Sequence, residues 1–178
     1  MEKRLKGKRV LAIVAPFGFQ DEELQQPRQI LEMEGPAFKV ASVMRGTCSG
    51  VQGARVRAEL SVDQAQAEDF DPLFVVGGAD SPDALWDSAE LHRVLRQAAE
   101  SNKVIGGICL SGAVLARAGV ASGRHLTVNQ TPRTLHELEK AGARFVARDV
   151  VIDGNMVTAG GSAAAREFGR KLAERLAN

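Results

Sequence analysis

The stretch Val104-Ile-Gly-Gly-Ile-Cys109-Leu-Ser-Gly-Ala-Val-Leu115 decides how this chain is read. A short apolar run leads straight into a helical pattern, and a cysteine stands at the join. The positions around it are small: Gly107 two before, Ser111 two after, then Gly112. This is the spacing of a nucleophile elbow, a strand-to-helix turn so tight that larger side chains would collide. Such a turn lifts its central residue to the carboxyl end of a sheet, where open α/β folds bind ligands. It also aims a helix N-terminus at the sulfur, which predicts a thiol pKa lowered from about 8.5 into the range of roughly 3.5 to 7.5. The residues leave a second reading open, a buried cysteine in an ordinary strand–helix join.

Upstream, Asp71-Pro-Leu-Phe-Val-Val76 reads as another buried strand, ended by Gly77-Gly78. If the two strands are neighbours, the amides of Gly78 and Leu110 face one oxyanion near Cys109; the alternative is a plain turn. Val10–Ala15 is the first strand, and Glu22–Glu34 the first helix, stopped by Gly35. Pro27 is tolerable there only in the first turns. Glu23 then lies on the same carboxyl edge, where a carboxyl shielded from water has a raised pKa. Alternatively, Asp21-Glu22-Glu23 is a solvated acidic helix start. Phe38–Met44 reads as a second strand, and Arg45–Leu60 as a loop with a small antiparallel excursion. An amphipathic helix spans Asp87–Asn102, capped by Ser88 or Asp87.

Lys103–Ile108 is the fourth strand and Ser111–Ala118 a short helix. Leu126–Val128 is a further short strand. Thr131-Pro132 opens a helix closed by Gly142. Arg144–Ile152 and Met156–Ala159 flank Asp153-Gly154, a two-residue hairpin signal, and Ser162 reads as the cap of a final helix. This alternation predicts a mostly parallel sheet covered on both faces.

Composition excludes several classes of function. The 178 residues carry 23 Lys+Arg against 22 Asp+Glu, so no single-sign field marks a binder of nucleic acid or anionic membrane. No apolar stretch approaches the length that crosses a bilayer, and Met1–Arg9 lacks a signal-peptide pattern. Two cysteines, Cys48 and Cys109, build no disulfide framework, and no Cys/His cluster has zinc spacing. A reduced, cytoplasmic protein without metal or cofactor is expected. Its organisation is a basic N-terminal extension, residues 1–8, and one domain over residues 9–178. Cys48 reads as a half-buried structural residue or a second oxidisable thiol, and Trp86 as a packing residue.

Taken together, Phe19-Gln-Asp-Glu-Glu23-Leu-Gln-Gln-Pro27, Arg45-Gly-Thr-Cys-Ser-Gly50, Phe70–Gly78, Gly107-Ile-Cys109-Leu-Ser-Gly112, Ala118–Arg124 and Val150–Asn155 resemble the ThiJ/PfpI superfamily from about Arg9 to Leu176. The resemblance implies an α/β flavodoxin-like three-layer sandwich related to class I glutamine amidotransferase domains. It makes Cys109 the reactive cysteine and Glu23 its protonated carboxyl partner, with Gly78 and Leu110 forming the anion pocket. It also implies a homodimer or higher homo-oligomer.

The departures bear on function. PfpI-type proteases have a histidine after the cysteine, where this chain has Leu110, and an acidic residue where it has Gln20. The deglycase-type histidine falls near Asn129. Gln20 and Asn129 are therefore candidate pocket residues without a base. His92, His125 and His136 read as surface residues, and a Cys–His peptidase lacks a proton shuttle. The leading expectation is a stress-response enzyme whose Cys109 attacks reactive carbonyls or glycated adducts. The alternatives are a redox sensor or chaperone without turnover, and a peptidase or amidase weakened by Leu110.

Overall fold

The computed structural model describes residues 3–178. In chain order the first elements are β1 (Arg9–Ile13), β2 (Phe17–Phe19), α1 (Asp21–Met33), β3 (Ala37–Ser42), β4 (Gly46–Gly50), β5 (Arg55–Ala58) and β6 (Leu60–Ser61). Next come β7 (Leu73–Val75), α2 (Ser81–Leu85), α3 (Ala89–Glu100), β8 (Ile105–Ile108) and α4 (Gly112–Arg117). The chain ends with β9 (His125–Leu126), α5 (Pro132–Lys140), β10 (Arg144–Phe145), β11 (Val150–Asp153), β12 (Met156–Ala159) and α6 (Ala165–Ala177).

Seven strands form the central sheet in the order β11-β12-β8-β7-β1-β3-β6, parallel except for β11. Strand periodicity explains why both faces are covered. On β1, Leu11 and Ile13 enter the core shared with α3, α4 and α5, while Val10 and Ala12 enter the core shared with α1 and α6. A strand buried on both sides is necessarily a continuous apolar run. The fold is thus the expected α/β sandwich. Strand order reverses between β1 and β7, the point where open α/β sheets open a crevice at their carboxyl ends. Leu5 also packs into the α1/α6 core, with its N–H bonded to the Glu34 carbonyl, so part of the basic N-terminal segment is woven into the domain.

Several local expectations need correction. Arg144–Ile152 is not one strand: Arg144–Phe145 pairs with β9, and β11 begins only at Val150. The residues between change partners, with the Val146 N–H bonded to Leu126 and the Asp149 carbonyl taking the Gly160 N–H. At the hairpin, Asp153 still pairs with Met156, so the loop is Gly154-Asn155, with Gly154 at φ +59°. Asp153 stays in the strand because its carboxylate accepts the His125 N–H at 2.7 Å. The short helix α2, with a proline in its first turn, has no counterpart among the elements that the sequence pattern predicts. Ser162 does not cap α6; that helix starts after Ala164 without a side-chain cap.

Pro27 is the seventh residue of α1, beyond the first turn. Its missing N–H removes the intrahelical bond to the Glu23 carbonyl, a defect of about 3 kcal/mol in an isolated helix. Close packing of α6 offsets it: a Cβ on Gly169 would stand 2.7 Å from Pro27 Cα. Gly169→Ala must therefore push the two helices apart. We expect a loss of roughly 1 to 3 kcal/mol in denaturant unfolding; an unchanged midpoint would refute this account of the contact.

Candidate active site

Register brings the site together before any side chain is considered. Val75 on β7 is level with Gly107 on β8. Two residues further along, Gly77 and Cys109 stand side by side where both strands end. Glu23 approaches from the first turn of α1.

Cys109 has φ +60°, left-handed backbone that a side chain adopts only when its surroundings impose it. The small neighbours explain how the turn fits. A Cβ on Gly107 would lie 3.0 Å from the Ser111 carbonyl, and one on Gly112 would enter the Val128 side chain. The Ser111 hydroxyl donates to the Val76 carbonyl at 2.7 Å, fastening the elbow to β7. The Asn129 N–H donates to the Cys109 carbonyl at 3.1 Å. A three-residue 3-10 turn, Cys109–Ser111, precedes α4.

Glu23 is 1% exposed. The Gly77 N–H donates to its Oε2 at 2.9 Å, the Ser162 hydroxyl to its Oε1 at 3.3 Å, and the Cys109 thiol is its third partner. Burial outweighs these donors and pushes the carboxyl up to about 7. Gly77 has no room to be otherwise: a Cβ there would land on the Glu23 carboxyl and 2.7 Å from Cys109 Cβ.

The thiol pKa departs from the sequence expectation. It is pushed up, to about 12, first by burial and then by the Glu23 charge. The Leu110 and Gly78 amides face the sulfur and pull the other way, more weakly. The 3-10 turn and the six-residue α4 supply too little dipole to reverse that order. Cys109 and Glu23 are therefore one titrating unit. Above about pH 7 they hold a single proton, which either the sulfur or the carboxyl can carry.

The remaining candidates lie around this pair. Gly78, at φ +128°, sits against the Gln20 backbone, and the Gln20 N–H bonds the Gly77 carbonyl at 3.0 Å. Gln20 and Asn129 both meet the site through backbone groups, and the Asn129 side chain is exposed. His125 and His136 are exposed, and His125 faces Asp153. His92 is half-buried rather than on the surface, with Nε2 2.7 Å from the Trp86 carbonyl. Asp21 is likewise not solvated. It is 3% exposed and accepts the N–H groups of Gln52 and Ala54 at 3.1 and 2.8 Å. Cys48 is fully buried in the α1/α6 core. Ser162 was missed as a site residue because a serine before a helix reads locally as a cap, and 139 positions separate it from Glu23.

The DJ-1/PfpI family model matches residues 8–175. This chain belongs to the DJ-1/PfpI family. Deglycase PfpI of Pyrococcus furiosus is 31% identical over 140 residues, covering 79% of this chain and 82% of that protein. A ThiJ/PfpI domain protein from Brachyspira murdochii superposes with TM-score 0.89 at 27% identity, over 96% of this chain and 97% of that one. Drosophila melanogaster DJ-1beta superposes with TM-score 0.85 at 30% identity, over 96% and 90% of the two chains. Among the described residues of this family member, no helix is long and apolar enough to cross a membrane.

Folding raises the Glu23 pKa from 4.5 to about 7. The folded state then binds the proton more tightly than the unfolded chain. The stabilisation this gives is full below about pH 4.5 and is lost as pH rises through about 7. Glu23→Gln abolishes that slope. Relative to wild type, the variant should gain roughly 3 kcal/mol between pH 4.5 and pH 8 in paired melts. Iodoacetamide alkylation of wild-type Cys109 should rise with a midpoint near pH 7, where the singly protonated pair appears, and Glu23→Gln should erase that midpoint. A wild-type profile with no inflection near 7 would separate Glu23 from the thiol.

Proposed function

We propose that this protein is a cysteine-dependent enzyme acting on small reactive carbonyls or their glycated adducts. The observation that carries the reading is the buried Glu23 carboxyl against the Cys109 thiol, at a left-handed elbow flanked by two backbone amides. A carboxyl that titrates near 7 is matched to proton transfer at neutral pH. It also supplies the shuttle for which Leu110 and Asn129 offer no histidine. The name of the Pyrococcus relative, a deglycase, agrees with this class of substrate.

Ionised Glu23 takes the thiol proton as sulfur adds to the carbonyl carbon. The C=O π pair moves to oxygen, which faces the Gly78 and Leu110 amides. Glu23 returns the proton to that oxygen, closing a hemithioacetal. With methylglyoxal, Glu23 next draws a proton from the hemithioacetal carbon and delivers it to the adjacent carbon, while the hemithioacetal hydroxyl proton passes to the adjacent carbonyl oxygen. The first carbon is oxidised to a thioester and the second reduced to an alcohol, so no external oxidant is needed. Water then cleaves the thioester, releasing lactate and the free thiol.

The test is lactate formation from methylglyoxal. Cys109→Ala should abolish it, and Glu23→Gln should slow it by about 10² to 10⁴. Lactate formation unaffected by Cys109→Ala would overturn the reading.

One contrast favours a second reading, a redox sensor without turnover. Cys109 is half-buried with amide donors around its sulfur, whereas Cys48 is sealed in the core. Those donors would also stabilise a sulfinate. Under graded peroxide, peptide mass spectrometry should find Cys109 oxidised well before Cys48. That result without any lactate formation selects the sensor. Modification of Cys48 first would remove the basis of both readings.

A further inference from the structure

The elbow must be held against its own backbone strain, and one of its fastenings comes from an unexpected residue. Trp86 is the chain's only tryptophan and is 1% exposed. Its indole Nε1–H donates to the Leu110 carbonyl at 3.0 Å. Leu110 is the residue whose N–H faces the Cys109 sulfur. The two peptide groups flanking Leu110 are thus both fixed from outside the turn. The first is held at the Cys109 carbonyl by the Asn129 N–H, and the second at the Leu110 carbonyl by Trp86.

Trp86 is itself clamped. Its carbonyl lies 2.7 Å from His92 Nε2, and the guanidinium groups of Arg117 and Arg133 stand 5.1 and 4.6 Å from the ring centroid. Arg117 is anchored in turn by a two-pronged bond to Glu137 at 2.9 and 2.8 Å and by Asp87. A tryptophan that served only to fill the core would need none of this. Its orientation is set from three elements, α3, α4 and α5, and its single polar atom is spent on the residue after the cysteine.

We propose that Trp86 is a positioning residue for the elbow: its indole N–H holds the Leu110 carbonyl and thereby keeps the Leu110 amide aimed at the Cys109 sulfur. The proposal rests on the reading of Cys109 as the reacting nucleophile. It goes further in assigning that geometry to a side chain 23 positions before the cysteine, at the C-terminal end of α2. A left-handed cysteine survives only where its surroundings over-determine it. Without the indole N–H, the Leu110 carbonyl loses that anchor and the 3-10 turn can relax, taking the amide off the sulfur.

The experiment compares wild type, Trp86→Phe, and a protein carrying at position 86 the tryptophan isostere whose ring N–H is replaced by sulfur. The isostere keeps the volume and the cation–π faces, so it guards against a Phe variant that merely folds poorly. The readout is the rate of Cys109 alkylation by iodoacetamide against pH, per folded molecule, alongside the melting temperature. Loss of one hydrogen bond to the turn should slow the plateau rate about threefold to tenfold in both variants. A purely structural role would lower the melting temperature and leave the plateau and midpoint in place. Rates within twofold of wild type for both variants overturn the assignment. A wild-type Cys109 no faster than Cys48 would sink the functional reading instead, and the ratio of variant to wild type would still decide on Trp86.

Discussion

A carboxyl and a thiol share one proton in a place that water hardly reaches, and the architecture at the sheet's carboxyl edge is arranged around that fact. Neither group alone is unusual. Burial makes Glu23 too weak an acid for an ordinary glutamate and, together with the Glu23 charge, makes Cys109 too weak an acid for an ordinary cysteine. It also forbids a side chain at Gly77, whose Cβ would occupy the space where the two groups meet. The donors that surround Glu23 come from three strand ends: the Gly77 amide after β7, the Cys109 thiol after β8 and the Ser162 hydroxyl after β12. Three neighbouring parallel strands must therefore end level for the unit to exist.

The fold was legible because burial on both faces leaves a strong pattern. Val10–Ala15, Leu73–Val76 and Val104–Ile108 are apolar throughout and separated by helical periodicity, which few architectures other than a covered parallel sheet accommodate. The elbow was legible because its pattern is local: Gly107, Ser111 and Gly112 stand within three residues of the cysteine, although Val128 is what keeps Gly112 small and Ser111 bonds distant Val76. What stayed hidden depends on contacts between distant positions. Ser162 looks like a helix cap until the sheet brings it to Glu23. Asp21 looks solvated until the hairpin of β4 and β5 folds over it. Trp86 looks like packing until its N–H is seen to point at Leu110.

The thiol pKa shows a different limit. Sequence announces a helix after the cysteine, and a helix dipole favours the thiolate. The sign of the outcome, however, depends on how deeply the sulfur is buried and on the charge of a residue 86 positions away. Both oppose the dipole, and both are properties of the assembled fold. In the proposed mechanism the sulfur is therefore activated by proton transfer within the pair rather than by a standing thiolate.

Of the three carboxylates in the first turn of α1, two are buried and serve opposite ends. Glu23 turns inward to the thiol, while Asp21, two residues earlier, grips the Gln52 and Ala54 amides in the tip of the β4–β5 hairpin. That turn is consequently a rivet between the edge of the central sheet and the three-stranded sheet of β2, β4 and β5. The hairpin lies outside the central sheet, but its tip is bolted to the same helical turn that carries Glu23. Any insertion that lengthens the loop at residues 51–54 would disturb the rivet first and the chemistry second. A change at the surface can thus reach the site from a spot that touches neither the cysteine nor its carboxyl.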